Sequence, residues 1–336
     1  MKTKILNIYI FFCCFLLATT IDVSTIEELD KALERAKPGQ IISIAPGVYD
    51  CATYERKYRF ELYASGTSAS PITLTAQNPV DPPILRGSSL KIGSIIQITG
   101  SYWIIENIKI TYGGSAIVLE NTNYNIIRNV EIYGLGSEGI RTTGGSSHNL
   151  FQNCYIHSTG NFDEGYGIGF DIGNPLDKIY DNYKSDYNVI EGCIFKNVAS
   201  EHIRIRVNST WNEVRKCVFY GEGINGKNDA DSFVSISGSD NYFHNNVGFR
   251  NENKNIMSAF EVEKLVEESG DGNIFENNVL YMDSPYGEID TEKRIYVVDG
   301  AGAKFSVKLN KVNYGYGLVD ADSEEFYNSD FVTYLK

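Results

Sequence analysis

From Trp103 to Tyr281 the chain sets apolar and polar positions in short bursts that recur. WIIENIKI (from Trp103), NIIRNVEI (Asn125), NLFQNCYI (Asn149), NVIEGCIF (Asn188), NEVRKCVF (Asn212), NYFHNNVGF (Asn241) and NIFENNVLY (Asn273) share one pattern. Their starts lie 22, 24, 39, 24, 29 and 32 residues apart. A second family of bursts lies upstream: AIVLE (Ala116), GIRTT (Gly139), GFDIG (Gly169), HIRIRV (His202), FVSIS (Phe233) and AFEVE (Ala259). Alternation with period two marks strands with one buried face, and Gly, Asn, Asp and Ser fill the turns between them. Repeats in the twenties, with strands and no helical pattern, predict a solenoid whose units must stack to bury their apolar faces. The expected fold is all-β, a single-stranded right-handed parallel β-helix. A β-propeller is the alternative, but it repeats every ~40 residues with four strands per blade. The longest step holds an insertion, roughly Phe162 to Ser185.

In register, Ile108, Val130, Cys154, Cys193, Cys217, Asn246 and Asn278 fall in one inward column. Asparagines there can hydrogen-bond along the stack, and free thiols pack as small hydrophobes. Parallel strands lie ~4.8 Å apart, so a disulfide between neighbouring rungs stays geometrically open. Among the upstream strands, Ile117, Ile140, Phe170, Ile203, Val234 and Phe260 are read as inward. One outward column is then read as Val118, Arg141, Gly169, Arg204, Ser235 and Glu261. The next is read as Glu120, Thr143, Asp171, Arg206, Ser237 and Glu263. The two form a charge-mixed strip with Asp171 one rung from Arg206. Two cross-strand pairs, Asp171–Arg206 and Arg204–Glu261, would satisfy the same residues as a surface network without any chemistry.

Before the repeats, Ser24 with Glu27 three residues on has capping-box spacing. Ile26, Leu29, Leu33 and Ala36 follow at helical spacing up to Pro38-Gly39. A helix over 24–37 would cover the open first coil, whose bare edge would otherwise template aggregation. QIISIAPGVYD then reads as the first strand and turn, and beyond about Glu288 the pattern fades into irregular last coils. The domain plan is thus 1–20 leader, 21–290 β-helix with its helical cap, and 291–336 last coils and C-terminal cap.

The leader reading rests on Lys2 and Lys4, an apolar run from Ile5 to Leu17 and small residues after it, the layout of a secretory signal peptide. The run falls short of the ~20 residues a membrane span needs, so the expected product is secreted, extracellular and free of the membrane. The chain has 30 basic and 43 acidic residues, a net charge of −13; without the two leader lysines the balance is −15. That balance argues against nucleic acid as a partner. Cys51, Cys154, Cys193 and Cys217 remain after the leader, too few for a disulfide scaffold in a chain this long. Asn208, in NST, is the single N-glycosylation sequon.

The helix followed by KPGQIISIAPGVYD and asparagine-rich coils resembles the pectin-lyase-like β-helix superfamily. DKIYDNYKSDYNVIEGCIF, SEHIRIRVNSTWNEVRKCVFYGEG and ADSFVSISGSDNYFHNNVGF are closest to secreted right-handed β-helix repeat proteins. The resemblance covers about Ile21 to Tyr281 and implies a fold that serves lyases, hydrolases, esterases and non-enzymes. For a polysaccharide lyase it implies that an Arg or Lys abstracts the uronate C5 proton while Ca²⁺ neutralises the sugar carboxylate. Arg206 is then the candidate base and Arg204 the carboxylate clamp. Asp171, Glu201, Glu261 and Glu263 are candidate oxygen ligands for Ca²⁺. Tyr166, on the insertion beside Asp163 and Glu164, is a candidate substrate contact, as are Arg141, Asp229 and Asp231. The resemblance also implies an acidic residue and then a lysine at the positions held here by Arg204 and Arg206.

The pectin-hydrolysing pattern of DD, GHG and RIK is missing, apart from RIR at Arg204. His148, His157, His202 and His244 lack metal spacing, and no Gly-rich phosphate loop opens a helix. Twenty-three tyrosines against two tryptophans leave either ring stacks within the coil or exposed faces for sugars. The expected function is cleavage of a pectate-like acidic glycan by Ca²⁺-assisted β-elimination, by a monomer acting on extracellular polysaccharide. The alternative is a non-catalytic polysaccharide-binding or wall-associated protein of the same fold.

Overall fold

The computed structural model describes residues 18–51, 60–91, 93–162, 166–174, 184–227, 230, 232–251, 253, 255–256, 258–266, 269–281, 294–299, 306–313 and 318–320. Three long sheets run side by side, two of eleven strands and one of nine. Neighbours within a sheet are consecutive coils of the chain, paired parallel, up to the last pair, where Lys311–Asn313 meets Leu318–Asp320 antiparallel. This is the expected parallel β-helix. Sheet A carries the first strand of each repeat quoted above, such as Ile126–Arg128, and sheet B the second, such as Glu131–Tyr133. Sheet C carries the upstream bursts, such as Ile140–Thr143.

Each sheet sends one column of side chains inward, because successive residues of a strand face opposite ways. Sheet A contributes Ile105, Ile127, Phe151, Ile190, Val214, Phe243 and Phe275 in register, all fully buried. Sheet C contributes Ile96, Ile117, Ile140, Phe170, Ile203, Val234 and Phe260. In sheet B the column breaks at Gly248, where a Cβ would stand 2.5 Å from the Phe233 ring. Phe233 fills the space that a side chain there would take.

Corners between sheets are held by stacked asparagines. Asn125, Asn149, Asn188, Asn212, Asn241 and Asn273 lie one above another, each Nδ2 donating to the next Oδ1 at 2.9–3.2 Å. The same Oδ1 also accepts the backbone N–H of the preceding asparagine, from 2.9 to 3.1 Å. At the opposite corner the expected inward column is buried throughout. Its thiols Cys154, Cys193 and Cys217 are free, and the column ends in a second ladder, Asn246–Asn278–Asn310. Burial and the Cys217 thiol push Cys193 well above the ordinary thiol range, and the hydrogen bond with Cys193 together with burial does the same for Cys154.

The residue before each asparagine of the first ladder takes a left-handed backbone, as does Tyr102 before Trp103 on the coil ahead of it. Asp240 and Gly272 have φ of 57° and 72°, and Tyr102, Tyr124, His148, Tyr187 and Trp211 have φ between 53° and 62°. Their rings leave the coil at one corner and stack at centroid spacings of 4.8–5.1 Å. Part of the tyrosine excess is therefore an outer ring stack, with faces turned to each other rather than to solvent.

The cap helix spans Ile26–Glu34 and starts one residue later than expected. Thr25 is the N-cap, and Glu28 closes the capping box by accepting from the N–H groups of Ser24 and Thr25. Leu29 and Leu33 are buried, and the helix packs on Thr19–Val23, Gln40–Ile44 and Phe60–Leu62. The expected leader lies outside the described residues except at its end, where Thr19 and Thr20 pair in parallel with Gln40 and Ile41. The first strand therefore precedes the helix instead of following it. The last coil is also more regular than expected, since Arg294–Asp299, Ser306–Lys308 and Lys311–Asn313 extend all three sheets.

Asn188→Ala leaves the Asn149 backbone N–H and side-chain amide without their acceptor. We expect a loss of about 1–3 kcal/mol for each buried group left unsatisfied, read as a lower urea midpoint. Exposed Val80→Ala, in comparison, should shift the midpoint little.

Candidate active site on the outer face of sheet C

The outward column of sheet C runs Gln97, Val118, Arg141, Asp171, Arg204, Ser235 and Glu261. Asp171 therefore stands in the column of Arg204, not in that of Arg206 as expected. Phe170 pairs with both Ile140 and Ile203, so the residue after it must face Arg141 and Arg204. Gly169 lies two residues earlier in the outward order and leaves that column.

Arg206 nevertheless reaches the Asp171 carboxylate, from one residue pair further along its strand. Its Nε and Nη2 donate to the two oxygens at 2.7 and 2.8 Å, a bidentate ion pair with Asp171 only 1% exposed. Arg204 does not bond Glu261, which lies two rungs away. Its Nη2 donates to both oxygens of Glu201 at 2.8 Å, and Ser200 Oγ donates to the same carboxylate. Arg141 repeats this arrangement, with Nη1 3.4 Å from Glu138 Oε1 and Ser115 Oγ donating to Glu138 Oε2 at 2.8 Å.

These contacts set the surroundings of the two arginines. Burial alone would pull the Arg204 guanidinium down, but the carboxylates of Glu201, Asp171 and Glu263 outweigh it and hold the group above its ordinary value. Arg206 commits Nε and Nη2 to the buried Asp171 carboxylate, which fixes the orientation of its fork.

The acids do not fit a calcium ion. Asp171 and Glu201 each receive a guanidinium, Glu263 receives Ser235 Oγ at 3.0 Å and Ser237 Oγ at 2.6 Å, and Glu261 is two rungs from Arg204. Among the described residues no three His, Cys, Asp or Glu side chains converge on one point. A hard cation needs several free oxygens at once, and here the oxygens are divided among separate partners.

Tyr166 is about half exposed, and its carbonyl accepts Ser137 Oγ at 3.2 Å, which places it at the rim of these rungs. Asn208 is exposed in a left-handed turn two residues past Arg206. Asp163, Glu164, Asp229 and Asp231 lie outside the described residues. A cleft of about 540 Å³ opens over the same face toward the N-terminal side. Lys91, Gln97, Glu120, Glu138, Arg141 and Phe162 line it, and Lys91 Nζ sits 5.0 Å from the Phe162 ring centroid. Sequence reasoning missed Glu138, Lys91 and Phe162. A signal for Glu138 was present, because EGIR at 138–141 and EHIR at 201–204 have the same spacing.

Behind Arg204, His202 turns into the core and stacks against Phe195, Phe219 and Phe233, with centroids 5.2–5.6 Å away. Desolvation lowers its pKa to about 3.

A family description, "Pel9A-like, right handed beta helix region", matches residues 18–174. A search of curated proteins gives no match. Among solved structures, the chain is similar to an alginate lyase from Paenibacillus sp. str. FPU-7. The two are 33% identical over 88% of this chain and 99% of that one, with a TM-score of 0.78. A rhamnogalacturonan lyase (14% identity, 84% and 82% covered, TM-score 0.60) and pectate lyase Pel9A (16%, 85% and 71%, 0.52) share the fold.

An unfolded histidine titrates near 6.5, well above His202 in the fold, so the unfolded state binds the proton first. This residue's share of stability is whole above pH 6.5 and is lost as pH falls toward 3. His202→Phe should therefore flatten the fall in urea stability between pH 6.5 and 5. An unchanged slope would mean that His202 takes up a proton in the folded state.

Proposed function

We propose that this chain, which belongs to the pectin-lyase-like right-handed β-helix superfamily, cleaves an acidic polysaccharide by β-elimination on the outer face of sheet C. The observation that carries the reading is the pair Arg204 and Arg206, each oriented by a buried carboxylate and each keeping N–H groups that its partner does not use. Alginate is the first candidate substrate. The support is the 33% identity to an alginate lyase that this chain covers almost end to end.

The chemistry suits such a site. Elimination removes the proton at C5 of a uronate, forms the C4=C5 double bond and breaks the bond from C4 to the glycosidic oxygen, which takes up a proton. Charge builds on the carboxylate as the C5 proton leaves, and preorganised donors aimed there stabilise it. A guanidinium matches a carboxylate in shape and stays charged at every working pH. Arg204 and Arg206 take this part in place of a metal ion. Tyr166, at the rim, brings a phenol to the same rungs and is suited to relay the proton, taking it from C5 and passing one to the departing oxygen.

Secretion belongs to the same reading, because the polymer is extracellular and residues 1–20 have the layout of a signal peptide. A glycan on Asn208 would stand at the end of the Arg204–Arg206 strand. A second reading, a non-catalytic polysaccharide-binding protein, is favoured by one observation: each arginine already has an acid as partner.

Incubation with alginate, pectate and glycosaminoglycans, followed by ultraviolet absorbance of the unsaturated product, separates the two. A lyase gives a rise with alginate, and with the arginines in the place of a metal ion the rise should survive EDTA. Arg204→Lys, which keeps the charge but loses the fork, should lower turnover about 10²-fold with the fold intact by circular dichroism. A flat trace with every polymer, together with retained binding, would establish the binding protein.

A further inference from the structure

The two Glu-x-Ile-Arg segments are the same device built twice. In each, the isoleucine (Ile140, Ile203) sits in the inward column and the arginine in the outward one. The glutamate three residues back is buried, at 8% and 3% exposure, and pairs with the arginine. Each acid also accepts a serine hydroxyl, from Ser115 in one case and Ser200 in the other. Arg141 commits only Nη1 to its glutamate and Arg204 only Nη2, so the rest of each fork is available to a ligand. The Arg141 copy forms part of the cleft that Lys91 and Phe162 wall.

The copies are two rungs apart, about 10 Å at the spacing of parallel strands. Asp171 lies in the rung between them, in the same column. The column thus reads cation, anion, cation along the helix axis. An extended 1,4-linked uronate chain turns successive carboxylates to opposite sides, so carboxylates on one side recur at every second sugar, over a similar span. Asp171, buried and with both oxygens taken by Arg206, offers no donor to a carboxylate facing it, which favours a chain whose middle sugar turns its acid away.

Resting on the acidic-glycan reading above, we propose that Arg141 is a specificity-determining clamp. It takes the carboxylate two sugars away from the one held at Arg204, with the glycan running along the helix axis into the cleft. Chain-length preference then comes from the distance between two matched clamps, since a second contact on one ligand acts at high effective concentration.

Calorimetric titration with alginate-derived oligouronates of two, three and four sugars tests this, with neutral oligosaccharides of the same lengths as a control. In the unaltered protein, affinity should rise about tenfold or more once the ligand is long enough to reach both arginines. In Arg141→Gln, which keeps most of the side chain's packing, that step should vanish, so that short and long ligands bind alike. Arg141→Lys should restore part of it. A thermal melt of each variant shows whether it folds. Folded Arg141→Gln with the step intact overturns the proposal, as does unaltered protein whose affinity does not grow with length. If the unaltered protein binds no uronate at all, the acidic-glycan reading fails together with this one. If it cleaves or binds uronates but shows no step, only the two-clamp inference falls.

Discussion

The structure depends on the registration of one coil over the next by buried amide groups. A stack of parallel strands has no intrinsic register, and a slip by one residue would turn every inward side chain outward. The ladder from Asn125 to Asn273 prevents this, because each Oδ1 accepts both a side-chain and a backbone N–H from the coil before it. Such groups are costly to leave unmade in the interior, so each coil is locked to the next at a corner. The left-handed residue before each asparagine makes the turn at that corner, and its ring adds an outer stack where it is aromatic.

That registration makes the functional face possible. Once Ile140, Phe170 and Ile203 are stacked inward, Arg141, Asp171 and Arg204 have no freedom but to line up outward at the strand spacing. Charges at such close range, partly withdrawn from water, interact strongly with their neighbours. The acids around Arg204 hold its guanidinium above its ordinary value, and the bidentate bond to Asp171 fixes Arg206. On the proposed reading, the rigidity of the helix sets where along the axis the carboxylates of a glycan are received.

Much of the fold was legible because it is written locally and repeated. The asparagine starts, the Cys154–Cys193–Cys217 column and the inward set of sheet C all follow from period-two alternation within a repeat. The errors arose where alternation alone does not decide. Asp171 and Gly169 flank the same inward phenylalanine, so both face outward, and the expected column took the residue before Phe170 although the one after it meets Arg204. The strand Thr19–Val23 was hidden by the apolar leader it adjoins, and the cap moved by one residue because Ser24 and Thr25 are both competent caps. At the site, the residue types and the Asp171–Arg206 pair were found, but the partner of Arg204 was not. Whether Arg204 turns to Glu261 two rungs away or to Glu201 three residues back is a rotamer choice, which sequence spacing permits but does not make. The cleft was invisible because residues far apart in sequence, Lys91 and Phe162, build its wall.

The central claim is that the paired arginines of sheet C receive the carboxylates of an acidic glycan without a metal between them. A crystal structure of the protein with a bound tetrauronate tests it most directly. The account predicts the sugar chain lying along the helix axis, with one carboxylate within hydrogen-bond distance of Arg204 or Arg206 while Glu201 and Asp171 keep their places. A glycan seated on another face, or a cation bridging its carboxylate to the acids of this one, would contradict it.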